Sequence, residues 1–451
     1  MRLLNKADFA PFKFIKGGSS FMRGVKITLI AQVAMIAVNA CTGIFTARLL
    51  GPQGRGELTV VIVWSFTLVY LVSCGVNQSI VYFIGKARER VSEVMTAVCV
   101  IGAAQSIIVV AIGMCLLPIA LRKYSPQVQH LALIFLAATP LIIFSGYPGN
   151  VLQGLLRFRS FNIIRILPVG FYAAGLAVLA ISGASRLSSV IACQMIGLAI
   201  ALVIGCWVLW YQVRPRWNWS PSMCSSLVRF GAKTQLGNMS GFINRYSDQL
   251  ILSLFVPPRE LGLYVVAVTV SSAIVFLPQA LGIATLAQAA NEKKNEAEAI
   301  IGHASRLSLL WLGGVAFFLF IFTPVLITHV FGSGYGTASL ACRILLPGSI
   351  ALGLNEVLYE GACALGYPAL PSYAELTSTG ITILGLFALV PRIGFVGAAV
   401  ASSVAYISSC FLMLYFYQTR MQIDIATLFR FGVTKHGETA VTKIEASEYS
   451  P

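Results

Sequence analysis

The chain has 451 residues, of which 57% are hydrophobic and only 11% are charged, whereas a soluble domain has roughly a quarter of its residues charged. With a mean hydropathy of +0.82, this composition excludes an ordinary water-soluble globular protein and indicates a chain solvated by lipid. The net charge of +16 would suit a nucleic-acid binder. However, the 32 Lys and Arg lie between apolar blocks without interleaved aromatic residues, so no nucleic-acid partner is expected.

Apolar blocks of about 20 residues or more recur along the chain, and each is long enough to cross a hydrocarbon core about 30 Å thick. Charged and Pro/Gly-rich breaks separate twelve of them: 27–47, 57–84, 93–117, 128–153, 161–182, 187–211, 232–256, 261–289, 305–330, 339–366, 372–390 and 394–418. We therefore predict an all-α polytopic membrane protein with about twelve transmembrane helices. The preceding residues, 1–26, are predicted to lie along the headgroups on the cytoplasmic side.

The distribution of Lys and Arg between alternate loops predicts the orientation in the membrane. If the N-terminus is cytoplasmic, 23 of the 32 basic residues fall in cytoplasmic segments and seven fall in outer loops. Because positive residues accumulate on the cytoplasmic side, this bias predicts that both termini are cytoplasmic.

A weak internal repeat divides the blocks into two halves. Residues 49–61 and 254–266 each contain a proline and a glycine before an apolar run, at an offset of 206, and the pair Gln153-Gly154 corresponds to Glu360-Gly361 at an offset of 207. We predict two six-helix lobes related by a pseudo-two-fold axis, a symmetry used for alternating access. The predicted segments are an N-lobe at 27–212, a cytoplasmic linker at 213–231, a C-lobe at 232–420 and a cytoplasmic tail at 421–451.

Charged residues inside the seventh block are the first candidates for a functional site, because an isolated Arg in a membrane-spanning helix costs about 2.5 to 3.5 kcal/mol on insertion scales. Arg245 and Asp248 are three residues apart and are predicted to share a helical face with Asn238, lining a cleft. Arg245 would there hold a pyrophosphate through paired N–H donors. Alternatively, Arg245 and Asp248 neutralise each other as a structural pair.

Carboxylates in the tenth block are candidates for proton or ion coupling. Glu356 and Glu360 are four residues apart, and two carboxylates on one face cannot both ionise cheaply at low dielectric, so a coupling role is predicted for them and for Asp248. The alternative is that Glu360 is merely solvated at the cytoplasmic mouth. Glu375, three residues after Ser372, matches a capping box that opens the eleventh helix, and this structural interpretation is favoured.

Uncharged polar residues are the corresponding candidates in the first half of the chain. Gln32, Asn39 and Thr46 recur every seven residues and are predicted to form one polar stripe, which Asn150 and Gln153 of the fourth block could face. These groups could bind the hydroxyl groups of a sugar. They could equally hold helices together without any substrate.

The remaining basic residues have less specific interpretations. Arg343, close to an outer turn, either snorkels to the headgroups or guides an exiting anion. Arg157, Arg159 and Arg165, at the inner ends of the fourth and fifth blocks, are interpreted as contacts with anionic lipids. The ten cysteines and four histidines do not show metal-ligand spacings, so neither a metal nor a cofactor is expected.

Four stretches together resemble the polysaccharide transporter family, the lipid-linked oligosaccharide flippases of the multidrug/oligosaccharidyl-lipid/polysaccharide exporter superfamily. They are ARLLGPQGRG at 47–56, NRYSD at 244–248 with LGLY at 261–264, the Gln153-Gly154 pair, and GFVGAA at 394–399. The resemblance implies a flippase rather than an enzyme, one that moves an undecaprenyl-pyrophosphate-linked oligosaccharide repeat unit to the outer leaflet of the bacterial inner membrane. The implied partners are this lipid-linked oligosaccharide, membrane lipids, and the polymerase and export machinery of surface polysaccharide or exopolysaccharide biosynthesis.

Two other functions remain open. A multidrug or lipid II exporter of the same superfamily would share the fold, and a drug exporter should have an apolar, aromatic cleft with cation-coordinating acids. A membrane-embedded glycosyltransferase or ligase usually needs a large outer loop that carries acids or a catalytic His. Every predicted outer loop of this chain is short, which disfavours the enzyme.

Overall fold

The computed structural model describes residues 18–290 and 292–429, and the side chains of all these residues except 18–27, 29, 236–238, 240 and 427. This part of the chain is helical and contains no β-strand. The helices are α1 (Gly18–Val72), α2 (Val76–Lys86), α3 (Val91–Ala120), α4 (Pro126–Ala137), α5 (Thr139–Gly154), α6 (Phe158–Ser182), α7 (Leu187–Val213), α8 (Pro221–Phe255), α9 (Pro258–Ser272), α10 (Phe276–Ala289), α11 (Lys294–Phe331), α12 (Ala338–Ala364), α13 (Ala369–Thr419) and α14 (Ile425–Phe429). The predicted all-α class is confirmed.

Nine helical stretches within the described residues are long and apolar enough to cross a membrane. Two of them, Ile30–Val72 with 43 residues and Ala369–Thr419 with 51, are too long for a single crossing, since at 1.5 Å per residue they extend about 65 and 75 Å. Each of them contains a kink and therefore supplies two segments. With α8, which is 35 residues long but more polar, these stretches make twelve helical segments, the number of predicted blocks.

Both kinks combine a proline with a glycine in the left-handed region of φ. In α1, Gly51 has a φ of 65° and Pro52 follows it; in α13, Gly394 has a φ of 60° three residues after Pro391. Proline removes a helical hydrogen bond, and glycine adopts positive φ without steric penalty. The chain therefore changes direction within the two stretches ARLLGPQGRG and GFVGAA.

The α13 kink also has a tertiary partner, which makes it sensitive to substitution. Glu260 Oε2 accepts a hydrogen bond from the Phe395 N–H at 3.4 Å and lies 2.6 Å from the position that a Cβ on Gly394 would occupy. We expect Gly394→Ala to lower the free energy of unfolding by about 1–2 kcal/mol. The added Cβ would clash with the Glu260 carboxylate, and alanine is strained at positive φ. Thermal unfolding in detergent measures this loss. Gly380→Ala is the control, because that glycine has nothing within 4 Å of its Cβ position; equal losses in the two variants would contradict the prediction.

The described chain packs into two compact units. The first takes in the residues up to Phe45 together with Ser65–Ile119 and His130–Gln235, and the second takes in Thr46–Trp64, Ala120–Gln129 and the residues from Leu236 onward. The segments around the α1 kink and around the turn from α3 to α4 thus pack with the second half of the sequence.

In the first unit, Gln105 bonds to backbone carbonyl oxygens where α1 ends. Its amide nitrogen donates to the carbonyl oxygens of Val72 and Ser73 at 3.0 and 2.8 Å, at the end of α1. The Tyr147 hydroxyl in turn donates to Gln105 Oε1 at 3.1 Å. Because lipid cannot hydrogen-bond to terminal carbonyls, such side-chain donors stabilise a helix end in a membrane.

In the second unit, an apolar core surrounds Tyr417 of α13, which is fully buried. The tyrosine hydroxyl donates to the Leu358 carbonyl oxygen of α12 at 2.8 Å. This bond fixes the packing of α12 against α13, and so fixes the helix that carries Glu356 and Glu360 relative to the helix that carries Glu375.

Candidate functional site

Three charged side chains of the second unit, from three helices, form one cluster. Arg245 of α8 is exposed, while Glu356 of α12 and Glu375 of α13 are half-buried. Glu375 Oε2 is 3.5 Å from the position of a Cβ on Gly241, one turn before Arg245, so the carboxylate lies against α8. Glu375 interacts electrostatically with both Glu356 and Arg245. We call Arg245, Glu356 and Glu375 the charged cluster.

Glu356 and Glu360 lie together beside α10, as their spacing predicts. Gln279 of α10 donates to Glu356 Oε1 at 3.3 Å, and Glu360 interacts electrostatically with Glu356. A Cβ on Gly282 would come within 3.0 Å of the Glu356 carbonyl oxygen and 3.2 Å of Glu360 Cγ. The absence of a side chain at this glycine lets α10 approach both residues. Their role in proton or ion coupling stays a prediction.

Asp248 belongs to a different, buried network. Its side chain is 4% exposed, its Oδ2 accepts from the Tyr264 hydroxyl at 2.7 Å, and its Oδ1 accepts from the Gln249 N–H at 2.7 Å. No ion pair joins Arg245 to Asp248 among the residues that the structure describes. The alternative in which these two residues form an ion pair is therefore not what the described residues show. Their spacing of three still makes them neighbours on α8, but Arg245 is exposed whereas Asp248 is buried.

The roles predicted for Asp248 in binding and coupling stay predictions. The side chain of Asn238, predicted on the same face, lies outside the described residues.

The Asp248–Tyr264 bond is expected to stabilise the fold. Tyr264→Phe would leave a buried carboxylate with one donor fewer, and losing the partner of a buried polar group costs about 1–3 kcal/mol. We expect the melting temperature of the purified protein to fall accordingly. Tyr415→Phe provides the comparison because Tyr415 is 56% exposed. Melting temperatures equal to that of the wild type in both variants would contradict the prediction.

Glu375 is the member of the charged cluster that sequence reasoning missed. Helix α13 begins at Ala369, so Ser372 and Glu375 lie inside the helix, and the Ser372 hydroxyl donates to the Pro368 carbonyl oxygen at 3.4 Å. The capping-box interpretation is therefore wrong. The cost of placing any carboxylate in an apolar block was the signal that could have identified it.

The polar candidates of the first unit are only partly brought together. Asn150 Nδ2 donates to Asn77 Oδ1 at 2.8 Å, which joins α5 to α2. Gln32 and Gln153 are half-buried, and Asn39 is exposed. Their role in binding sugar stays a prediction.

Thr46, the third residue of the predicted stripe, packs in the second unit, where its hydroxyl accepts from the Arg55 guanidinium at 2.7 Å. Because Gln32 and Asn39 belong to the first unit and Thr46 to the second, the three residues do not form one continuous stripe within a unit.

Arg343 makes a structural contact that its sequence position did not reveal. Its Nε donates to the Phe320 carbonyl oxygen at 2.8 Å, and its guanidinium lies 5.2 Å from the centroid of the Phe320 ring. Pro324, four residues after Phe320, has no N–H for that carbonyl. Arg343 thus supplies the missing donor in α11, while its predicted guidance of an exiting anion stays a prediction.

A reciprocal backbone contact joins α1 to α9 within the second unit. A Cβ on Gly56 would lie 1.7 Å from the Pro258 carbonyl oxygen, and a Cβ on Gly262 would lie 2.0 Å from the Pro52 carbonyl oxygen. The repeat offset of 206 relates Pro52 to Pro258 and Gly56 to Gly262. A two-fold axis passing between α1 and α9 would produce this reciprocity. We call these four residues the glycine contact.

Polar bonds beside the glycine contact fasten the α1 kink to the end of α11. Arg48 donates through Nε to the Val330 carbonyl oxygen at 2.7 Å and through its guanidinium to the His329 carbonyl oxygen. The Tyr335 hydroxyl donates to the Ala47 carbonyl oxygen at 3.1 Å. Because the last carbonyls of a helix lack partners within it, Arg48 acts as a cap from another helix.

The helical segments and the polar groups within them define a multi-pass membrane protein, and solved structures share its fold. The chain has a TM-score of 0.75 to the "Lipid II flippase MurJ, inward closed conformation", at 14% identity and covering 95% of this chain and 94% of that one. Its TM-score to the inward-facing conformation of a multidrug resistance MATE family transporter of the MOP superfamily is 0.71, at 13% identity and covering 86% and 94%. At these identities the likeness shows the fold alone, which this chain shares with the two transporters.

The family follows from the sequence. Residues 21–286, more than half of the chain, match the family described as "Polysaccharide biosynthesis protein", and the chain belongs to this family. A relative from Haloferax volcanii, the "Probable low-salt glycan biosynthesis flippase Agl15", is 24% identical over 185 residues. The match covers 40% of this chain and spans only 39% of that relative's length. The predicted family resemblance is confirmed.

Proposed function

We propose that this protein is a flippase that carries a lipid-linked oligosaccharide from the cytoplasmic to the outer leaflet of the bacterial inner membrane. Membership of the polysaccharide biosynthesis family and the partial match to a glycan flippase support the substrate class. The proposed substrate carries hydroxyl-rich sugars on a pyrophosphate, and its polyprenyl tail stays in the lipid. The positive-inside bias supports cytoplasmic termini.

The observation that carries the proposal is the exposed Arg245 in a helix of a membrane protein, with the carboxylate of Glu375 against the same helix at Gly241, one turn away. An exposed charge in such a helix must face water or protein, because acyl chains do not solvate it. The planar guanidinium donates paired hydrogen bonds to a pyrophosphate. Glu375 competes with that anion for Arg245.

This competition offers a route to coupling. When a proton or another cation neutralises Glu375 and Glu356, Arg245 loses its anionic neighbours and binds a phosphate more tightly. When the carboxylates are charged, they weaken the phosphate site and favour release. A ligand shifts a conformational equilibrium only by its differential affinity for the two states, and the charged cluster provides such a difference.

The glycine contact is the proposed outer closure. In the predicted topology, residues 47–56, 258–262 and 329–335 lie at the outer ends of their helices. The hydrogen bonds of Arg48 and Tyr335 would then hold the outer side closed together with the glycine contact. Release to the outer leaflet then requires α1 and α9 to separate. Two repeat-related surfaces that meet reciprocally suit alternating access by rocking of two halves.

The test is whether cells without this protein accumulate lipid-linked repeat units on the inner leaflet. We expect accumulation together with loss of surface polysaccharide, and both should reverse on complementation. Unchanged polysaccharide without accumulation would overturn the proposal. Sensitivity of the deletion strain to cationic dyes would instead favour a multidrug exporter, and sugar incorporation by the purified protein would favour a glycosyltransferase or ligase.

A further inference from the structure

The first unit contains a cavity of about 270 Å³ between α5 and α6. Its polar and aromatic lining comes from Ser145 and Asn150 on α5 and from Phe161 and Arg165 on α6. Gly149 of α5 leaves room there, since the nearest atoms to its Cβ position are side-chain atoms of Phe161 at 3.7 Å and Ile164 at 3.8 Å. The cavity is separate from the charged cluster, which lies in the other unit.

Arg165 gives this cavity a positive charge, and among the residues that the structure describes it forms no ion pair with a carboxylate. It lies seven residues after the start of α6, about 10 Å along the helix, so it is not at the helix end. The sequence from residue 94 to residue 247 contains neither Asp nor Glu. Among the described residues of the first unit, the carboxylates are Glu89 and Glu93, and Glu93 is already paired with Arg90 at 2.7 Å. The cavity therefore favours an anion.

The same cavity offers hydrogen-bonding groups and an aromatic face. Asn150 uses one amide hydrogen in its bond to Asn77, which leaves its carboxamide oxygen as an acceptor. Pro168, which also lines the cavity, lacks the N–H that would bond the Ile164 carbonyl, so this carbonyl is left without its usual helical donor at this wall. The Phe161 ring, 6.0 Å from the Arg165 guanidinium, provides a flat apolar surface.

We propose that this cavity binds a sugar phosphate: the phosphate on Arg165, the sugar hydroxyls on Asn150 and the Ile164 carbonyl, and one face of the sugar ring on Phe161. Ligand pockets usually enclose about 300–1,000 Å³, so this one accepts one sugar with its phosphate and not a whole oligosaccharide. The inference rests on the proposed function, because it assigns the cavity to the part of the lipid-linked glycan where the first sugar meets the pyrophosphate.

The experiment measures binding rather than transport, with purified full-length protein in detergent. The probe is a polyprenyl pyrophosphate carrying N-acetylglucosamine, and phosphatidylglycerol is the competitor that represents ordinary anionic lipid. We expect Arg165→Gln to weaken probe binding by about 10-fold or more, because a guanidinium makes charge-assisted bonds to phosphate. Gly149→Leu should weaken it similarly by filling the cavity.

Two matched variants control for general effects. Arg159→Gln removes an exposed arginine from the same helix, and Gly170→Leu adds the same side chain to α6 where nothing lies within 4 Å of the Cβ position. Both should bind as the wild type does, and all four variants should keep the wild-type elution volume and melting temperature. If Arg165→Gln does not keep the wild-type elution volume and melting temperature, the comparison of probe binding by Gly149→Leu and by Gly170→Leu tests the site instead.

The outcomes separate the two proposals. Wild-type protein that does not bind the probe would overturn both the proposed substrate class and this site. Wild-type binding that persists in Arg165→Gln and Gly149→Leu would overturn the site alone. Equal loss in Arg159→Gln, or displacement of the probe by phosphatidylglycerol at the same concentration, would show a general anionic-lipid contact and would also overturn the site.

Discussion

Replacing Gly56 with valine is expected to abolish export while the protein still inserts into the membrane. A Cβ at this position would lie 1.7 Å from the Pro258 carbonyl oxygen, and a backbone oxygen cannot withdraw without moving α9. The glycine contact would therefore open, and the outer side could not close as proposed. Gly262→Val should have the same effect, because its Cβ would lie 2.0 Å from the Pro52 carbonyl oxygen.

Two measurements check this prediction. Surface polysaccharide reports export, and labelling of Ala47→Cys by a membrane-impermeant maleimide, in a variant without the native cysteines, reports opening, since Ala47 is fully buried. Labelling should rise in the Gly56→Val background. Gly314→Val of α11 is the control, because nothing lies within 4 Å of that Cβ position. Normal export by both contact variants would refute the closure.

Replacing Arg245 with alanine is expected to stop export of the lipid-linked oligosaccharide without loss of the folded protein. The substitution removes the charge-assisted hydrogen bonds that a guanidinium makes to phosphate, which are roughly twice as strong as hydrogen bonds between neutral groups. Arg245→Lys should retain part of the activity, because lysine keeps the charge but not the planar pair of donors. Surface polysaccharide and the amount of membrane-inserted protein are the measurements.

The neighbouring carboxylate makes this test more specific. If Glu375 competes with the substrate for Arg245, Glu375→Gln should bind the lipid-linked probe at least as tightly as wild type but should export it without dependence on the ion gradient. Arg392→Ala, an exposed arginine on α13, is the control for loss of positive charge. Export at the wild-type level by Arg245→Ala would refute the proposed binding of the substrate phosphate by Arg245.

Much of the fold was predictable because the membrane limits it so strongly. A helix satisfies its own backbone groups inside lipid, and an apolar block of about 20 residues has the length of a spanning helix, so the twelve blocks correspond to helical segments. The glycine and proline of ARLLGPQGRG at 47–56 marked a real kink, since these residues act through their own backbone. The repeat offset of 206 relates the residues that meet in the glycine contact, but their meeting was not predicted from the sequence.

The candidate site was less predictable because sequence spacing does not determine what a helical residue faces. Arg245 and Asp248 are three residues apart, yet one is exposed and the other bonds to Tyr264. Neighbours at this spacing point in similar but not identical directions, and packing of α9 and α13 against α8 decides which of them is buried. Glu375 was missed for the same reason, because a local capping pattern outweighed a partner 130 residues away in the sequence.

The sequence by itself determined the solvent, the number of helical segments, the family and the presence of charges within apolar blocks, because these depend on composition and on local backbone chemistry. Only the tertiary structure decided that Glu375 lies against the helix of Arg245, that Arg343 bonds the carbonyl freed by Pro324, and that Arg165 lines a cavity. Each of these arrangements brings together groups on different helices, and it depends on how each helix is rotated and packed, which no local pattern of residues specifies.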